Sequence, residues 1–267
     1  MKNLTREKLA RGETVLGLFS KMSDASLVEQ AALAGFDFII IDMEHGPATF
    51  ETAQQLIRAA ELRHMTPIIR TSDAGHASLL RSLDIGAHGV QVPQVSTRAA
   101  AEAVVRAAKF APAGDRGVCR YTRAAEYTHT EQSAHFARSN SGTMVIIHIE
   151  GTEGIDNLDQ ILAVKGVDVI FLGPYDLSQS CGVPGQTGHP AVVEKMRHAV
   201  RKATAAGVTV GTFVENPEMA RFWRHAGARY IAYSVDTGIY YTACRQIVAS
   251  VREALALPGN PENKHAQ

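Results

Sequence analysis

Short apolar runs rich in valine and isoleucine alternate along this chain with longer segments of helical periodicity, and this alternation restricts the fold more than any other feature. Most of the runs are continuously apolar, as expected for strands that are buried on both faces of a parallel sheet. Eight runs predict strands, over residues 15–20, 36–42, 66–71, 89–95, 144–150, 167–173, 208–214 and 229–235.

A helical pattern follows each predicted strand. Ser26, Thr97 and Asn216 are expected as N-caps, while Gly207 and Gly227 fall just after helix ends, where a left-handed residue is favoured. Parallel strands need helical crossovers, so eight such units in about 250 residues predict a (β/α)₈ TIM barrel, an α/β fold. A doubly wound sheet with a small appendage is the competing fold. The spacing predicts helices over residues 26–34, 50–63, 77–83, 97–110, 155–164, 191–206, 217–225 and 240–257.

One long stretch interrupts this repeat. We expect a single (β/α)₈ barrel domain over residues 1–257, with an insertion at about 111–142 that is too long for an ordinary connection. The insertion predicts an extra helix around residues 124–138, and insertions after barrel strands are often active-site lids or subunit contacts. A tail over residues 258–267, rich in Pro, Asn and Lys, is expected to be flexible.

The composition indicates a cytoplasmic globular protein. The chain has 267 residues, 45% of them hydrophobic, and its 27 Lys and Arg balance 27 Asp and Glu, so net charge gives no support to nucleic-acid or membrane binding. The three cysteines, Cys119, Cys181 and Cys244, are scattered without a CxxC pair, which disfavours disulfides and structural zinc. We find no secretory signal and no apolar run near the roughly 20 residues that a membrane helix needs.

Two carboxylates stand at the ends of neighbouring predicted strands. Barrel enzymes carry their chemistry at the carboxyl ends of the strands, where Glu150 and Asp176 should face one cavity. Two such oxygen donors without cysteine suit a hard divalent cation, Mg²⁺ or Mn²⁺, completed by water and substrate oxygens. The alternative is that each acid only caps the helix that follows it.

Two basic residues are expected at the same end of the barrel, beside the carboxyl ends of the strands. Arg70 ends the third strand and could hold a substrate carboxylate with two hydrogen bonds, or it could pair with Asp73 or Asp42. His45 is the best candidate for a catalytic base because histidine titrates near neutral pH, although it could instead donate to nearby backbone. Asp84, at the end of the third predicted helix, could orient that imidazole, or it could be an ordinary surface acid.

Several reaction types lack their residues in this sequence. No lysine ends strands five to eight, and Lys21 after strand one is the only lysine placed to compete, so a Schiff-base aldolase is disfavoured. The loops after strands seven and eight lack the glycine-rich nests that bind phosphate. There is no GxGxxG and no P-loop, and the cysteines are interpreted as packing residues.

Five segments resemble the HpcH/HpaI metal-dependent pyruvate aldolases, a group related to the citrate lyase β-subunit enzymes. The resemblance extends from about Val15 to Val251. It implies a (β/α)₈ barrel whose eighth helix is often exchanged between partners, and a homo-oligomer, often a hexamer built as a trimer of dimers. The segments are IDMEHGP, IIRTSD, LDIGAHGVQVPQV, IEGTEGIDNLDQIL and FLGPYDLSQSCG.

The resemblance also assigns roles to residues of this chain. It implies that Glu150 and Asp176 ligate the metal, that Arg70 holds the pyruvyl oxygens, and that His45 is the base with Asp84 as its orienting partner. Asp42 matches a second acid of the strand-two motif. The implied substrate-binding residues are Arg70, Asp176, His148, Gly173 and Pro174, with the backbone after Gly173 receiving the pyruvate carboxylate.

This chain departs from the family pattern where the aldehyde half of a substrate would lie. His148 stands where Gln is common, and Tyr175 replaces an Ala. The segment RGVCRYTRAAEY is also richer in arginine, with Arg116, Arg120 and Arg123. These three side chains would suit a polyanionic substrate.

We therefore expect a metal-dependent aldolase that cleaves a 4-hydroxy-2-oxo acid to pyruvate and an aldehyde, with Mg²⁺ or Mn²⁺ as cofactor and Co²⁺ as a substitute. One alternative keeps the same chemistry but acts on a polyanionic acid or a CoA ester, as a citrate-synthase-like enzyme or a lyase. A second alternative is a non-catalytic barrel that binds a keto acid. The expected partners are a small 2-oxo acid and further copies of the chain, without nucleic acid or membrane.

Overall fold

Eight parallel strands close into one barrel in the computed structural model, which describes residues 2–257. Each strand pairs with the next in chain order, and β8 pairs back with β1, so the predicted (β/α)₈ TIM barrel is confirmed. The predicted tail at 258–267 lies outside the described residues. The strands are β1 Val15–Ser20, β2 Phe38–Asp42, β3 Thr66–Arg70, β4 Gly89–Val92, β5 Met144–Ile149, β6 Val169–Leu172, β7 Thr209–Val214 and β8 Tyr230–Val235.

Twelve α-helices are found in the described part of the chain, and all of them except α1 and α9 overlap a predicted helix. The crossover between β5 and β6 is two short helices rather than one, because the backbone at Asn157 is not helical. The helices are α1 Leu4–Ala10, α2 Ala25–Leu33, α3 Phe50–Leu62, α4 His76–Asp84, α5 Arg98–Ala108, α6 Gln132–Gly142, α7 Thr152–Asp156, α8 Leu158–Leu162, α9 Pro174–Ser180, α10 Pro190–Ala205, α11 Pro217–Ala226 and α12 Asp236–Ala254.

Helix α1 was not predicted, and it lies across the amino ends of the strands. The Asn3 side chain caps it and also donates to the carbonyl oxygens of His88 and Gly142, each at 3.0 Å. The Thr5 hydroxyl donates to the carbonyl of Asp37 at 3.2 Å. These contacts seal the end of the barrel opposite the predicted site.

Large and small residues alternate in the barrel interior, which is filled by side chains. The Phe38 and Tyr230 rings stack with centroids 3.9 Å apart and planes 16° from parallel. Glycines face both rings: a Cβ on Gly17 would lie 2.3 Å from the Phe38 ring, and one on Gly211 would lie 2.7 Å from Tyr230. The strands can therefore close around these two rings only if both neighbouring positions lack a side chain.

The insertion expected at about 111–142 packs beside α4. It contains a 3₁₀ helix, Arg123–Thr128, followed by α6. The Arg116 side chain is buried and pairs with Asp84 at 2.7 Å, and Arg123 hydrogen-bonds to Glu61. Two arginines of the insertion thus attach it to the outside of the barrel.

Helix α12 begins four residues earlier than expected, at Asp236, and contacts β1 and β8 of its own barrel. None of its 19 residues, all of them described, is buried. The apolar exposed residues of α12 include Ile239, Tyr240, Tyr241, Ile247, Val248 and Val251.

The predicted helix caps are mostly found in the structure. Thr97 and Asn216 cap their helices as predicted, whereas Asp24 rather than Ser26 caps α2. Within residues 2–257, no helix is long and apolar enough to cross a membrane.

The interior packing predicts that Gly17→Ala destabilises the barrel. The added methyl would overlap both the Phe38 ring and the Phe38 carbonyl oxygen, 2.5 Å away, so the free energy of unfolding should fall by about 1–3 kcal/mol. Urea denaturation measures this difference. Gly188→Ala is the control, since nothing lies within 4 Å of a Cβ there, and it should change stability by no more than about 0.5 kcal/mol. Equal effects of the two substitutions would contradict this account.

Candidate active site

A cavity of about 410 Å³ opens at the carboxyl ends of the strands. A larger one, about 530 Å³, lies between α10 and α11 on the outer surface, far from the predicted strand-end residues, and we do not regard it as the candidate site. All but one of the predicted site residues line the first cavity: His45, Arg70, His148, Glu150, Gly173, Pro174 and Asp176.

Glu150 follows β5 and is held at both carboxylate oxygens. Its Oε1 accepts the backbone N–H of Gln94 at 2.7 Å, and its Oε2 is 2.8 Å from Nδ1 of His148. Burial raises the pKa of this carboxyl, but the neighbouring His148 and the Gln94 N–H outweigh it, so the net pKa is lowered. A Cβ on Gly173 would lie 2.8 Å from Oε2, so only glycine fits beside this carboxylate.

Asp176 lies in the first turn of α9, a helix that the sequence pattern did not predict, and it lines the same cavity as Glu150. No group of three or more His, Cys, Asp or Glu side chains is arranged to hold a metal anywhere in residues 2–257. Two carboxylates nevertheless fit a hard cation that takes its remaining ligands from water and substrate. Because Gly173 has no side chain, the space beside the Glu150 carboxylate stays open.

Arg70 is fixed by two carboxylates. Its Nε and one terminal nitrogen donate to the two oxygens of Asp42, at 2.9 and 2.7 Å, and the other terminal nitrogen lies 3.0 Å from Glu44. The Arg70 guanidinium also lies over the Phe19 ring, 4.8 Å from its centroid. Two of its five N–H donors bond to Asp42, which leaves three, including those of the terminal nitrogen beside Glu44.

Asp42 connects this arginine to the loop that carries His45. Its Oδ1 also accepts the backbone N–H groups of Glu44 and His45, both at 3.1 Å. Burial raises the pKa of Asp42, but the hydrogen bonds and charge of Arg70 outweigh it and leave the pKa lowered. The same loop requires Gly46, because a Cβ there would lie 2.2 Å from the Asp42 carbonyl oxygen. The buried pair thereby sets the position of His45, which is exposed at the mouth.

Asp84 is the predicted site residue that the fold keeps apart from the others. We expected it to orient His45, but its carboxylate pairs with the buried Arg116 at 2.7 Å, and no hydrogen bond joins Asp84 to His45 within the described chain. The reason is that α4 ends on the outer side of the sheet, where the insertion supplies Arg116. Arg123 is likewise engaged with Glu61, and Arg120 lies over the Tyr121 ring. None of the three arginines lines the cavity.

His148, predicted to bind substrate, has both ring nitrogens in contact with other side chains. Although it lines the cavity, its Nδ1 contacts Glu150 and its Nε2 lies 2.6 Å from the side-chain nitrogen of Gln91. Both ring nitrogens are therefore occupied by protein groups, and neither is left for a ligand. Only the pairing of β4 with β5 brings Gln91 and His148 together.

Sequence reasoning missed a polar pair on the far wall of the cavity. The Tyr175 hydroxyl donates to Glu215 at 2.7 Å, and the Tyr175 ring packs edge-on to Phe213. Burial, followed by the hydrogen bond and charge of Glu215, raises the pKa of Tyr175 to about 12. Glu215 directly follows β7, and this position at a strand end was the signal that could have identified it. Lys21, also in the cavity wall, lies 3.7 Å from Asp42.

Known proteins resemble this chain over almost its whole length. Residues 15–243 match the HpcH/HpaI aldolase/citrate lyase family. A 2-keto-3-deoxy-L-rhamnonate aldolase of Escherichia coli is 35% identical over 250 residues, 93% of this chain and 93% of that protein.

Two solved structures show the same fold at a similar level of identity. An HpcH/HpaI aldolase/citrate lyase family protein from Burkholderia cenocepacia is 32% identical with a TM-score of 0.89, covering 94% of this chain and 100% of that one. The citrate synthase SbnG is 30% identical with a TM-score of 0.85, covering 93% and 97% of the two chains.

The buried pair at the base of the cavity predicts how Asp42→Asn affects stability. Leaving Arg70 without its charged partner should lower the free energy of unfolding by about 3–5 kcal/mol near pH 7. Because the native pKa of Asp42 lies below the unfolded value of about 3.9, its contribution is present above that value and is lost as pH falls through the native pKa. The difference between wild type and variant should therefore shrink below about pH 4 in urea titrations.

The control for this titration is Asp156→Asn, which removes an exposed carboxylate of α7. It should change stability by no more than about 0.5 kcal/mol. A difference between wild type and Asp42→Asn that stays constant from pH 7 to pH 2 would contradict the charge-based account.

Proposed function

The chain belongs to the HpcH/HpaI aldolase/citrate lyase family and is a carbon–carbon lyase, and from this premise we propose that it cleaves a 2-keto-3-deoxy sugar acid to pyruvate and a hydroxyaldehyde. The observation that carries the proposal is the shared cavity of two carboxylates, Glu150 and Asp176, with Arg70 and His45. A 2-keto-3-deoxy sugar acid is a 4-hydroxy-2-oxo acid, the substrate class expected from the sequence.

A divalent metal ion is the cofactor of this reaction. Glu150 and Asp176 would hold it, and their oxygen donors favour Mg²⁺ or Mn²⁺, with Co²⁺ as a substitute. When bound, such an ion acts as a Lewis acid toward the keto oxygen of the substrate. Gly173 and Pro174, beside Glu150, leave room for the pyruvyl half.

Arg70 stabilises the charge that develops on the pyruvyl half. Asp42 and Glu44 already hold its guanidinium in place, and Arg70 lines the cavity with N–H donors that Asp42 does not use. A donor that is oriented before the reaction does not have to reorganise as negative charge appears on the enolate oxygen.

His45 is the base. Its imidazole takes the proton from the C4 hydroxyl, and the electron pair of that O–H bond forms the aldehyde carbonyl. The C3–C4 bond breaks as its electron pair passes to the pyruvyl half, giving the enolate of pyruvate. Return of the proton to C3 then yields pyruvate. Asp42 positions the imidazole through the backbone of its loop, whereas the carboxylate of Asp84 pairs with Arg116.

The cavity wall formed by Tyr175 and Glu215 favours an aldehyde product that carries hydroxyl groups but no charge. Tyr175 and Glu215 offer hydrogen-bonding groups there, and the Glu215 carboxylate would repel an anionic aldehyde. The citrate-synthase-like alternative relied on Arg116, Arg120 and Arg123, all of which are engaged outside the cavity. The pocket therefore supports a sugar acid better than a polyanion.

Helix α12 supports a dimer-based homo-oligomer. Its apolar residues recur at positions 240, 244, 247, 248 and 251, the spacing of one helix face, and most are exposed. Such a face is normally covered in a barrel enzyme. We propose that it packs on the barrel of a neighbouring subunit, as an exchanged eighth helix, in an assembly that is a hexamer of three dimers.

Pyruvate release from 2-keto-3-deoxy-L-rhamnonate tests the activity. We expect turnover with Mg²⁺, Mn²⁺ or Co²⁺, reversible loss of activity with EDTA, and no covalent adduct after borohydride treatment with pyruvate, because Lys21 is paired with Asp42. Absence of turnover on every 4-hydroxy-2-oxo acid tried with metal would favour the non-catalytic barrel, and a stable adduct at Lys21 would indicate a Schiff-base enzyme.

The control substrate is 4-hydroxy-2-oxoheptanedioate, whose aldehyde half is anionic. We expect a lower kcat/KM for it than for the sugar acid. Glu215→Gln should bring the kcat/KM values of the two substrates closer together, because it removes the charge that repels the anionic half. A ratio that the substitution leaves unchanged would contradict the assignment of the aldehyde side.

Two substitutions separate the roles of the basic residues. His45→Ala should lower aldol cleavage about 10²–10⁴-fold while sparing much of any oxaloacetate decarboxylation, which has no C4 hydroxyl to deprotonate. Arg70→Ala should impair both reactions, because both develop charge on the pyruvyl oxygens. Steady-state kinetics of the two reactions measure the split. An equal loss of both activities in His45→Ala would show that His45 is not the base.

Light scattering tests the assembly. The wild-type protein should run as a dimer-based oligomer at micromolar concentration, and Val251→Lys should shift it toward smaller species by placing a charge on the apolar face of α12. Thr242→Lys, on the opposite side of the same helix, is the matched control and should leave the mass unchanged. A monomeric wild type would rule out the proposed assembly.

A further inference from the structure

We propose that Tyr230, Gln91 and His148 form a buried hydrogen-bond relay that fixes the carboxylate of Glu150 and so sets the affinity of the site for its metal ion. The inference rests on the proposed metal site and concerns its protein surroundings. It makes His148 a positioning residue rather than a substrate-binding residue.

The relay crosses the barrel interior through three short contacts. The Tyr230 hydroxyl lies 3.3 Å from Oε1 of Gln91, and Nε2 of Gln91 lies 2.6 Å from Nε2 of His148. Nδ1 of His148 lies 2.8 Å from Oε2 of Glu150. Tyr230 and Gln91 are 0% exposed and His148 is 2% exposed, so water does not compete for these bonds.

The hydrogen-bonding capacity of each group gives the relay a direction. An amide NH₂ can only donate, so Nε2 of His148 accepts and its Nδ1 carries the proton that it donates to Glu150. The amide oxygen of Gln91 accepts from the Tyr230 hydroxyl. Burial raises the pKa of Tyr230 well above its ordinary value, which keeps this hydroxyl a donor.

Aromatic packing holds the relay rings in place. The His148 ring stacks on Phe171 with centroids 4.7 Å apart and planes at 23°, and Tyr230 stacks on Phe38. Glu150 is therefore restrained at Oε2 by a ring that cannot turn freely and at Oε1 by the Gln94 N–H. Each carboxylate oxygen keeps a lone pair beyond the one used in these bonds, and these remain available to a cation.

The relay requires a hydrogen-bond donor at position 148, where this chain has a histidine. A glutamine at this position could donate to Glu150 through its own amide, whereas an aliphatic residue could not. Groups that orient a metal ligand typically change metal affinity by about 10–100-fold when they are lost. The affinity for a metal ion is thus the quantity that this relay should control.

Mn²⁺ titration of the metal-stripped full-length protein, with free Mn²⁺ measured by electron paramagnetic resonance, tests the inference. His148→Leu should weaken Mn²⁺ binding by about 10–100-fold. His148→Gln should restore most of the affinity, and Tyr230→Phe, which removes only the hydroxyl at the far end, should weaken binding by a smaller factor. Thr212→Val is the matched control, since it deletes another buried hydrogen bond, 3.0 Å to the Leu172 carbonyl, without touching the relay.

The outcomes separate the relay from the metal site itself. A folded His148→Leu protein with wild-type Mn²⁺ affinity would overturn the relay while leaving the proposed function intact. If His148→Leu does not fold, Tyr230→Phe decides, and an unchanged affinity in that variant overturns the inference. Wild-type protein that binds no Mn²⁺, Mg²⁺ or Co²⁺ would overturn both the metal site and the relay. An equal loss of affinity in Thr212→Val would reduce the effect to general destabilisation and would also overturn it.

Discussion

Closure of eight parallel strands into one barrel is the constraint on which every functional feature depends. Because all the strands run in the same direction, their carboxyl ends meet at one mouth. Pairing of β2 with β3 places Asp42 opposite Arg70, and pairing of β4 with β5 brings Gln91 beside His148. The pairing of β8 with β1, which closes the barrel, shifts its register between Gly17 and Phe19. The Phe38 ring fills the interior beside Gly17.

The buried charges of the mouth serve orientation more than stability. Removing Asp42 and Arg70 from water is unfavourable, and their two hydrogen bonds with the additional contact to Glu44 offset part of that penalty. In return, one carboxylate fixes both the arginine and, through two backbone N–H groups, the loop of His45. Glu150 is held in a similar way, because a backbone N–H and a histidine restrain its carboxylate from two sides.

Local patterns were sufficient for the strands and most helices, because burial and periodicity act over a few neighbouring residues. The errors lie where the local signal is ambiguous. Asp24 and Ser26 can both cap a helix, and the longer carboxylate two residues earlier reaches the Ser26 N–H at 2.8 Å. Helices α1 and α9 are short, at seven residues each, and their periodicity is too brief to be recognised.

By itself the sequence determined the barrel, the mouth at which chemistry takes place, and a set of polar residues that reach it, including Arg70, Glu150 and Asp176. Only the tertiary structure decided which groups those residues contact. Asp84 pairs with Arg116 of the insertion, and His148 bonds to Gln91 and Glu150. The physical reason is that secondary structure follows from interactions a few residues apart, whereas a side chain's partner depends on strand register and on loops that fold back from 30 or more positions away, 32 for Asp84 and Arg116 and 57 for Gln91 and His148.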